Sequence, residues 1–355
     1  GSADRRLDAI IVGGGPAGLS AAVQLARLAR TCVVVDDDAG RSLWSQVTRN
    51  HLGFPDGVKA VDLRLLGQRQ AIRYGASLRS GRVASLRTDP RGGFTVRIEP
   101  SGTGQSTGQP AQQGVEAEPD SPGLPDNRRR ERAHAARLGE RRTRTGIVLR
   151  ARTVILASGV VDSFPAFDGR DACVGVSLFW CIVCDGFESR GRSVVVVGDD
   201  DEAISTAFGL FRFGATVTFV TGRRRARSAM PRLEALAERG VAIHRSPVAE
   251  YRHRDGQLEV VRLADPAGTE LACDMVFVSA PMRPRSELGR RLRAATDEAG
   301  YLTVDADGRT SVTWLYAVGD VTAGHAHQVA AAAYFGATAA TAVNYDLYDS
   351  VERGK

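Results

Sequence analysis

This 355-residue chain has little with which to cross a membrane. Its one uncharged stretch of bilayer length, 326–345, is built of Ala, Thr and Gly with Gln328 and Asn344 inside, so it is too weakly apolar for lipid and reads as a buried helix. Cysteine is also scarce: five residues (32, 173, 181, 184, 273), an odd count that does not frame a secreted disulfide scaffold and fits a cytoplasmic compartment. No second Cys-x-x-Cys accompanies the pair at 181 and 184, and His325-x-His327 is the only candidate complement, so no metal site is expected. Aromatic residues are missing from the basic segment 128–144, whose eight arginines against Glu131 and Glu140 carry the whole net charge of +6. With no rings to stack on bases, the segment reads as a solvated insertion and no nucleic-acid partner is expected. No secretory leader is expected either, because the apolar start at Ala9–Val12 is a short strand that runs into glycines; Gly1-Ser2 reads as a cloning remnant.

What is present is an ordinary globular composition, 43% hydrophobic and 25% charged, over a length that suits two cores. Ala9–Val12 reads as a buried strand, 13–18 as a turn, Leu19–Leu28 as a helix and Cys32–Val35 as the next buried strand. A second unit of the same design opens at Ser193–Val197 and continues through a helix at Glu202–Phe213 to a strand at Thr216–Val220. Thr153–Gly159 and Leu315–Asp320 read as two further strands that end in glycine-containing turns. Between the strands Gly93–Ile98 and Ile147–Leu149, residues 101–145 turn to Ser, Gly, Gln, Pro and then Arg, and read as a disordered insertion. The expectation is an α/β protein with two Rossmann-type, three-layer ββα domains.

Two motifs carry chemistry. Gly13-x-Gly15-x-x-Gly18 stands between a strand and a helix, with an acid, Asp36, at the end of the next strand. Gly13 permits the tight turn, Gly15 lets the backbone approach a pyrophosphate, Gly18 lets helix and strand pack closely, and Asp36 would hold a ribose hydroxyl pair. Cys181-Ile-Val-Cys184-Asp185-Gly186 places two thiols within reach of each other and a carboxylate beside them that can move a proton.

With these residues in view, the chain resembles the low-molecular-weight thioredoxin reductase family over nearly all its length outside 101–145. The likeness rests on Ile11–Leu19, Asn50-His-Leu-Gly-Phe-Pro55, Ile155–Gly159, Cys181–Gly186 and Tyr316-Ala-Val-Gly-Asp320. The resemblance implies FAD, bound along Gly13, Gly15, Pro16, Ala17, Gly18, Asp36, Asp37, Asn50, Gly159, Gly319, Asp320, His327, Gln328 and Val329. It implies that Cys184 meets the flavin, that Cys181 exchanges with substrate, and that Asp185 is the acid/base group. It further implies a discontinuous FAD domain at 3–166 and 284–355, a second domain at 167–283 that carries the cysteines, and a homodimer.

The chain departs from the family where NADPH should bind. The Gly-x-Gly-x-x-Ala fingerprint is replaced by Gly198-Asp-Asp-Asp-Glu-Ala203. Asp200 stands where the second glycine belongs, and one carboxylate 4 Å from a phosphate charge costs on the order of 4 kcal/mol even at an effective dielectric of 20, about three decades in binding. Gly222-Arg-Arg-Arg225 and Arg227 could still hold a 2′-phosphate, so NADPH is in doubt rather than excluded. A flavin and a cysteine pair without a nicotinamide site resemble the gliotoxin, holomycin and romidepsin branch of dithiol oxidases, in which oxygen is the electron acceptor and a histidine acts as base. His325 and His327 are the candidates here, and His325 reads equally as a packed histidine. Ser279–Pro284 replaces a glycine-rich turn and points to an altered domain interface or substrate pocket. Three functions follow: an oxygen-dependent oxidase of a small-molecule dithiol, an NADPH- or ferredoxin-dependent reductase of a thioredoxin-like protein, or a non-catalytic redox sensor.

Overall fold

A computed structural model describes residues 6–100, 141–143, 146–222, 230–279, 281–324 and 326–348. His325, the arginines at 223–227 and the expected insertion up to residue 140 lie outside these residues. Strand β1 (Leu7–Val12), helix α1 (Pro16–Arg27) and strand β2 (Cys32–Asp36) form the first βαβ unit. Both strands are apolar at nearly every position because both faces are covered. Ala9, Ile11 and Val34 pack on one side, whereas Ile10, Val12, Val33 and Val35 pack on the other. Helix α1 begins at Pro16, three residues before its apolar spacing first shows, since proline suits the first helical position.

Helix α2 (Ala60–Arg73) and strands β3 (Ser77–Ser80), β4 (Arg82–Thr88), β5 (Phe94–Glu99), β6 (Arg141–Thr143) and β7 (Gly146–Leu156) follow. They build one sheet in the order β3-β2-β1-β7-β5-β4. The long β7 serves it twice: its first half pairs antiparallel with β5, its second half parallel with β1. The segment 101–145, expected to be disordered, therefore ends in order, because 141–143 closes a hairpin onto 146–148.

After the short strand β8 (Val160–Asp162), the chain enters a second, all-parallel sheet. Its elements are β9 (Leu178–Phe179), α3 (Ile182–Asp185), β10 (Ser193–Val197), α4 (Asp201–Arg212), β11 (Thr216–Val220), α5 (Met230–Ala237) and β12 (Ala242–His244). An antiparallel sheet of β13 (Val248–Arg254), β14 (Gln257–Leu263) and β15 (Glu270–Ala272) leads to β16 (Met275–Val278), which inserts between β9 and β10. Strand β17 (Met282–Pro284) then returns antiparallel to β8, so the chain leaves and re-enters the first sheet through one two-stranded ladder.

Strand β18 (Leu315–Ala317) pairs with β7 and stops earlier than the sequence suggests, because Gly319–Val321 turns into a 3-10 segment. The uncharged stretch is helix α6 (Val329–Asp346), packed on α1. The approach is close: a Cβ on Gly336 would stand 2.1 Å from the carbonyl oxygen of Ala17. No helix among the described residues is long and apolar enough to cross a membrane.

Candidate active site

The turn from β1 to α1 opens a cavity of about 860 Å³ that runs to the cysteine pair, within the range of cofactor sites. Three glycines shape its mouth in different ways. Gly13 has φ +108°, and a Cβ there would meet the Ala157 carbonyl oxygen at 2.2 Å. At Gly18 it would meet the Gly13 carbonyl oxygen at 1.9 Å. At Gly15 it would point into open space, at the N-terminus of α1, where no side chain caps the helix. That N-terminus thus presents N–H groups and the positive end of the dipole to the cavity.

Nearly all residues expected at the flavin line this one cavity: Gly13, Gly15, Pro16, Ala17, Asp36, Asp37, Asn50, Gly159, Gly319, Asp320, His327, Gln328 and Val329. Gly18 does not, since it is spent on the packing of α1 against the turn. Asp36 stands at the wall at the end of β2, and Arg64 from α2 pairs with both Asp36 and Asp38. Burial raises the Asp36 pKa, and Arg64 opposes that rise. Asp320 accepts from Arg41 at 3.1 Å, and the same guanidinium holds Asp162 at 2.9 Å. Arg41 also stacks 5.8 Å from the ring of Trp180, the residue before Cys181. Neither Arg41 nor Arg64 belongs to a motif, and nothing in the local sequence marks either.

Cys181 and Cys184 form a disulfide. Cys184 and Asp185 line the cavity, whereas Cys181 does not. The amide of Cys184 donates to Cys181 Sγ at 3.2 Å. Gln328 Nε2 lies 3.5 Å from Cys184 Sγ and 3.7 Å from Cys181 Sγ, and its Oε1 accepts from Asn50 Nδ2 at 2.8 Å. Asn50 also donates to the Val183 carbonyl at 3.3 Å. The pair is thereby clamped against the flavin cavity from the side of the first sheet. Asp185 is buried, and desolvation, then the neighbouring Glu188, push its pKa up to about 7, with Arg49 pulling the other way. His327 approaches Met282 Sδ through Nδ1 at 3.3 Å and faces the Tyr301 ring at 5.9 Å. His325 lies outside the described residues. Burial holds the other thiols protonated, with Cys32 and Cys273 pushed up to about 12 and Cys173 raised as well. Among the described residues no cluster could hold a metal ion.

The second βαβ turn is filled by its own side chains. Asp200 caps α4, accepting from the Ala203 amide at 2.8 Å, and its other oxygen takes the Ser279 hydroxyl. Asp199 accepts from the Thr221 hydroxyl at 2.6 Å and the Gly222 amide at 2.9 Å, across the end of β11. Asp201 pairs with Arg232 at 3.3 Å. The Ser279–Pro284 segment finds its account here: Ser279 locks Asp200, and Met282 contacts His327.

The sequence profile of the pyridine nucleotide-disulphide oxidoreductase family matches residues 7–336. The thioredoxin reductase of Mycolicibacterium smegmatis is 29% identical over 323 residues, 88% of each chain. That of Streptomyces clavuligerus is 28% identical over 339 residues, 93% of this chain and 91% of the relative. Among solved structures, HlmI superposes with a TM-score of 0.75 at 26% identity over 96% of this chain and 92% of its own. The thioredoxin reductase from Streptococcus pyogenes MGAS5005 shares the fold, with a TM-score of 0.78 at 23% identity over 98% and 99% of the two chains. An uncapped helix over a cofactor-sized cavity, a disulfide at the end of that cavity and these likenesses agree: the chain belongs to the pyridine nucleotide-disulphide oxidoreductase family, as an FAD-dependent thiol–disulfide oxidoreductase of the thioredoxin reductase type.

Proposed function

We propose that the enzyme is an oxygen-dependent dithiol oxidase that closes a disulfide in a small-molecule substrate. The observation that carries this reading is Asp200. Its carboxylate occupies the N-terminus of α4, where a nicotinamide dinucleotide would place its pyrophosphate. A dianion would have to displace that cap and lie beside Asp199 and Asp201. The likeness to HlmI is compatible with the proposal.

In the proposed cycle a substrate thiolate attacks Cys181 Sγ, the S–S bond breaks, and Cys184 leaves as a thiolate. The second substrate thiol gives up its proton and attacks the substrate sulfur of the mixed disulfide, releasing Cys181. The substrate has then lost two electrons and two protons: the cysteine pair takes the electrons, Cys181 takes one proton and the base beside Cys184 takes the other. Asp185, buried beside Cys184, is the group that takes and returns the proton. His327 is the second candidate base on the cavity wall. Asn50 and Gln328 hold the pair in register throughout. Bound FAD supplies a two-electron acceptor that oxygen can re-oxidise. Residence in the cytoplasm and a homodimeric state belong to the same proposal.

Oxygen uptake with dithiothreitol and no nicotinamide tests this reading. The wild-type protein should consume oxygen steadily, and Cys184→Ser should keep its flavin and consume none. Wild-type rates in that variant would remove Cys184 from the mechanism. The second reading is a reductase of a thioredoxin-like protein, drawing electrons from NADPH or ferredoxin. The identity to thioredoxin reductases over most of the chain favours it, and NADPH-driven reduction of a thioredoxin would establish it.

A further inference from the structure

The first sheet contributes one more charge to the cysteine turn. Arg49, just after the short strand Val47–Thr48, reaches across to Glu188, in the 3-10 segment that follows α3, with Nε 3.6 Å from Oε1. The adjoining Asn50 docks the same loop to the Val183 carbonyl and to Gln328. Glu188 lies three residues after Asp185, on the turn that buries that carboxyl. Helix α4 and the residue that ends it cover the turn with apolar atoms: Gly209 lies against Ile182, and Phe213 lies against Gly186. Of the other ionisable groups, His51 and His327 share the wall of the same cavity with Asp185. Glu188 and Arg49 act on Asp185 with opposite signs.

We propose that Arg49 and Glu188 are positioning residues for the thiol–disulfide step: an ion pair laid between the two halves of the active site that controls when Asp185 holds its proton. The proposal rests on the reading of Asp185 as the acid/base group. Glu188 disfavours a second negative charge beside it and keeps Asp185 protonated. Arg49 draws on both carboxylates and limits that effect. Because Arg49 comes from the first sheet and Glu188 from the cysteine segment, the balance depends on the two being docked. If they separated, Asp185 would keep the Glu188 contribution alone and hold its proton to higher pH. The ion pair acts only on the pH at which Asp185 can give up or take a proton.

The test is a pH titration of the holoenzyme by infrared spectroscopy, following the carbonyl band of protonated Asp185, assigned by its loss in Asp185→Asn. The wild-type midpoint should lie at about 7. Glu188→Gln should lower it, and Arg49→Gln should raise it, each by about half a pH unit or more given the exposure of the pair, and Arg49→Lys should restore most of the wild-type value. The anaerobic rate at which dithiothreitol bleaches the flavin should shift its pH profile in the same two directions. Midpoints that stay put, or that move the same way in both variants, overturn the proposal. If the midpoints shift as stated while Asp185→Asn turns over at wild-type rate, the ion pair stands and the acid/base reading falls.

Discussion

Asp185 shows what a single buried carboxyl costs and offers. Its pKa rises from 3.8 to about 7, chiefly through desolvation, so the folded protein holds the proton more tightly than the unfolded chain does. The stabilising contribution is present in full below about pH 4 and is lost as pH rises towards 7, above which the fold carries a buried charge. Asp185→Asn should therefore be more stable than wild type at pH 8, by on the order of 3 kcal/mol, with the gap closing towards pH 4. Urea midpoints measured across that range check the sign; a variant less stable at pH 8 would contradict it. The thiols give a second residue-level outcome. After native reduction, iodoacetamide should modify Cys181 and Cys184 and leave Cys32, Cys173 and Cys273 untouched, read by mass spectrometry, since burial disfavours their thiolates. The cysteine pair and Asp185 are legible in the sequence because their chemistry sits within five consecutive residues. Arg41, Arg49, Arg64 and Glu188 are not. Arg41 and Arg64 reach partners 26 to 279 positions away, and Arg49 meets Glu188 across the fold; an arginine in a chain of many arginines carries no signal of its own.

At the level of elements, the two βαβ units share a design but differ in how their turns are filled. Helix α1 starts from Gly15 over a cavity with no side-chain cap, whereas α4 is capped by Asp200. Both helices were legible to within a few residues, because a buried strand, a turn and a 3.6-residue apolar period occur together. What could not be read was the fate of the acids: Asp199 to the end of β11, Asp200 to its own helix and to Ser279. Replacement of an Asp cap by Gly costs a helix only a few tenths of a kcal/mol, so Asp200→Gly should fold. It should also make NADPH-driven flavin bleaching measurable where the wild type shows none, as the charge is withdrawn, and a variant that still does not bleach would show that Asp200 is not the block. Helix α6 depends instead on small residues. Gly336→Ala would drive a methyl into the Ala17 carbonyl, and a loss of about 1–3 kcal/mol is expected, visible as a lower melting temperature and weaker flavin retention.

For the whole molecule, the arrangement of the two sheets decides the chemistry. The chain passes between them through the β8–β17 ladder, and in this arrangement the disulfide faces the flavin cavity, held by Gln328 and Asn50. Two βαβ units were legible from two fingerprint-like turns, but their mutual placement was not, because it depends on side chains that meet only in the folded molecule. In the proposed reaction electrons enter from a substrate dithiol and not from a nicotinamide. This is tested by mixing the purified flavoprotein with excess NADPH in the absence of air and following flavin absorbance. NADPH should leave the flavin oxidised, a dithiol should bleach it promptly, and admitting oxygen should restore the oxidised spectrum. Rapid bleaching by NADPH would contradict the proposed reaction and identify the enzyme as a reductase.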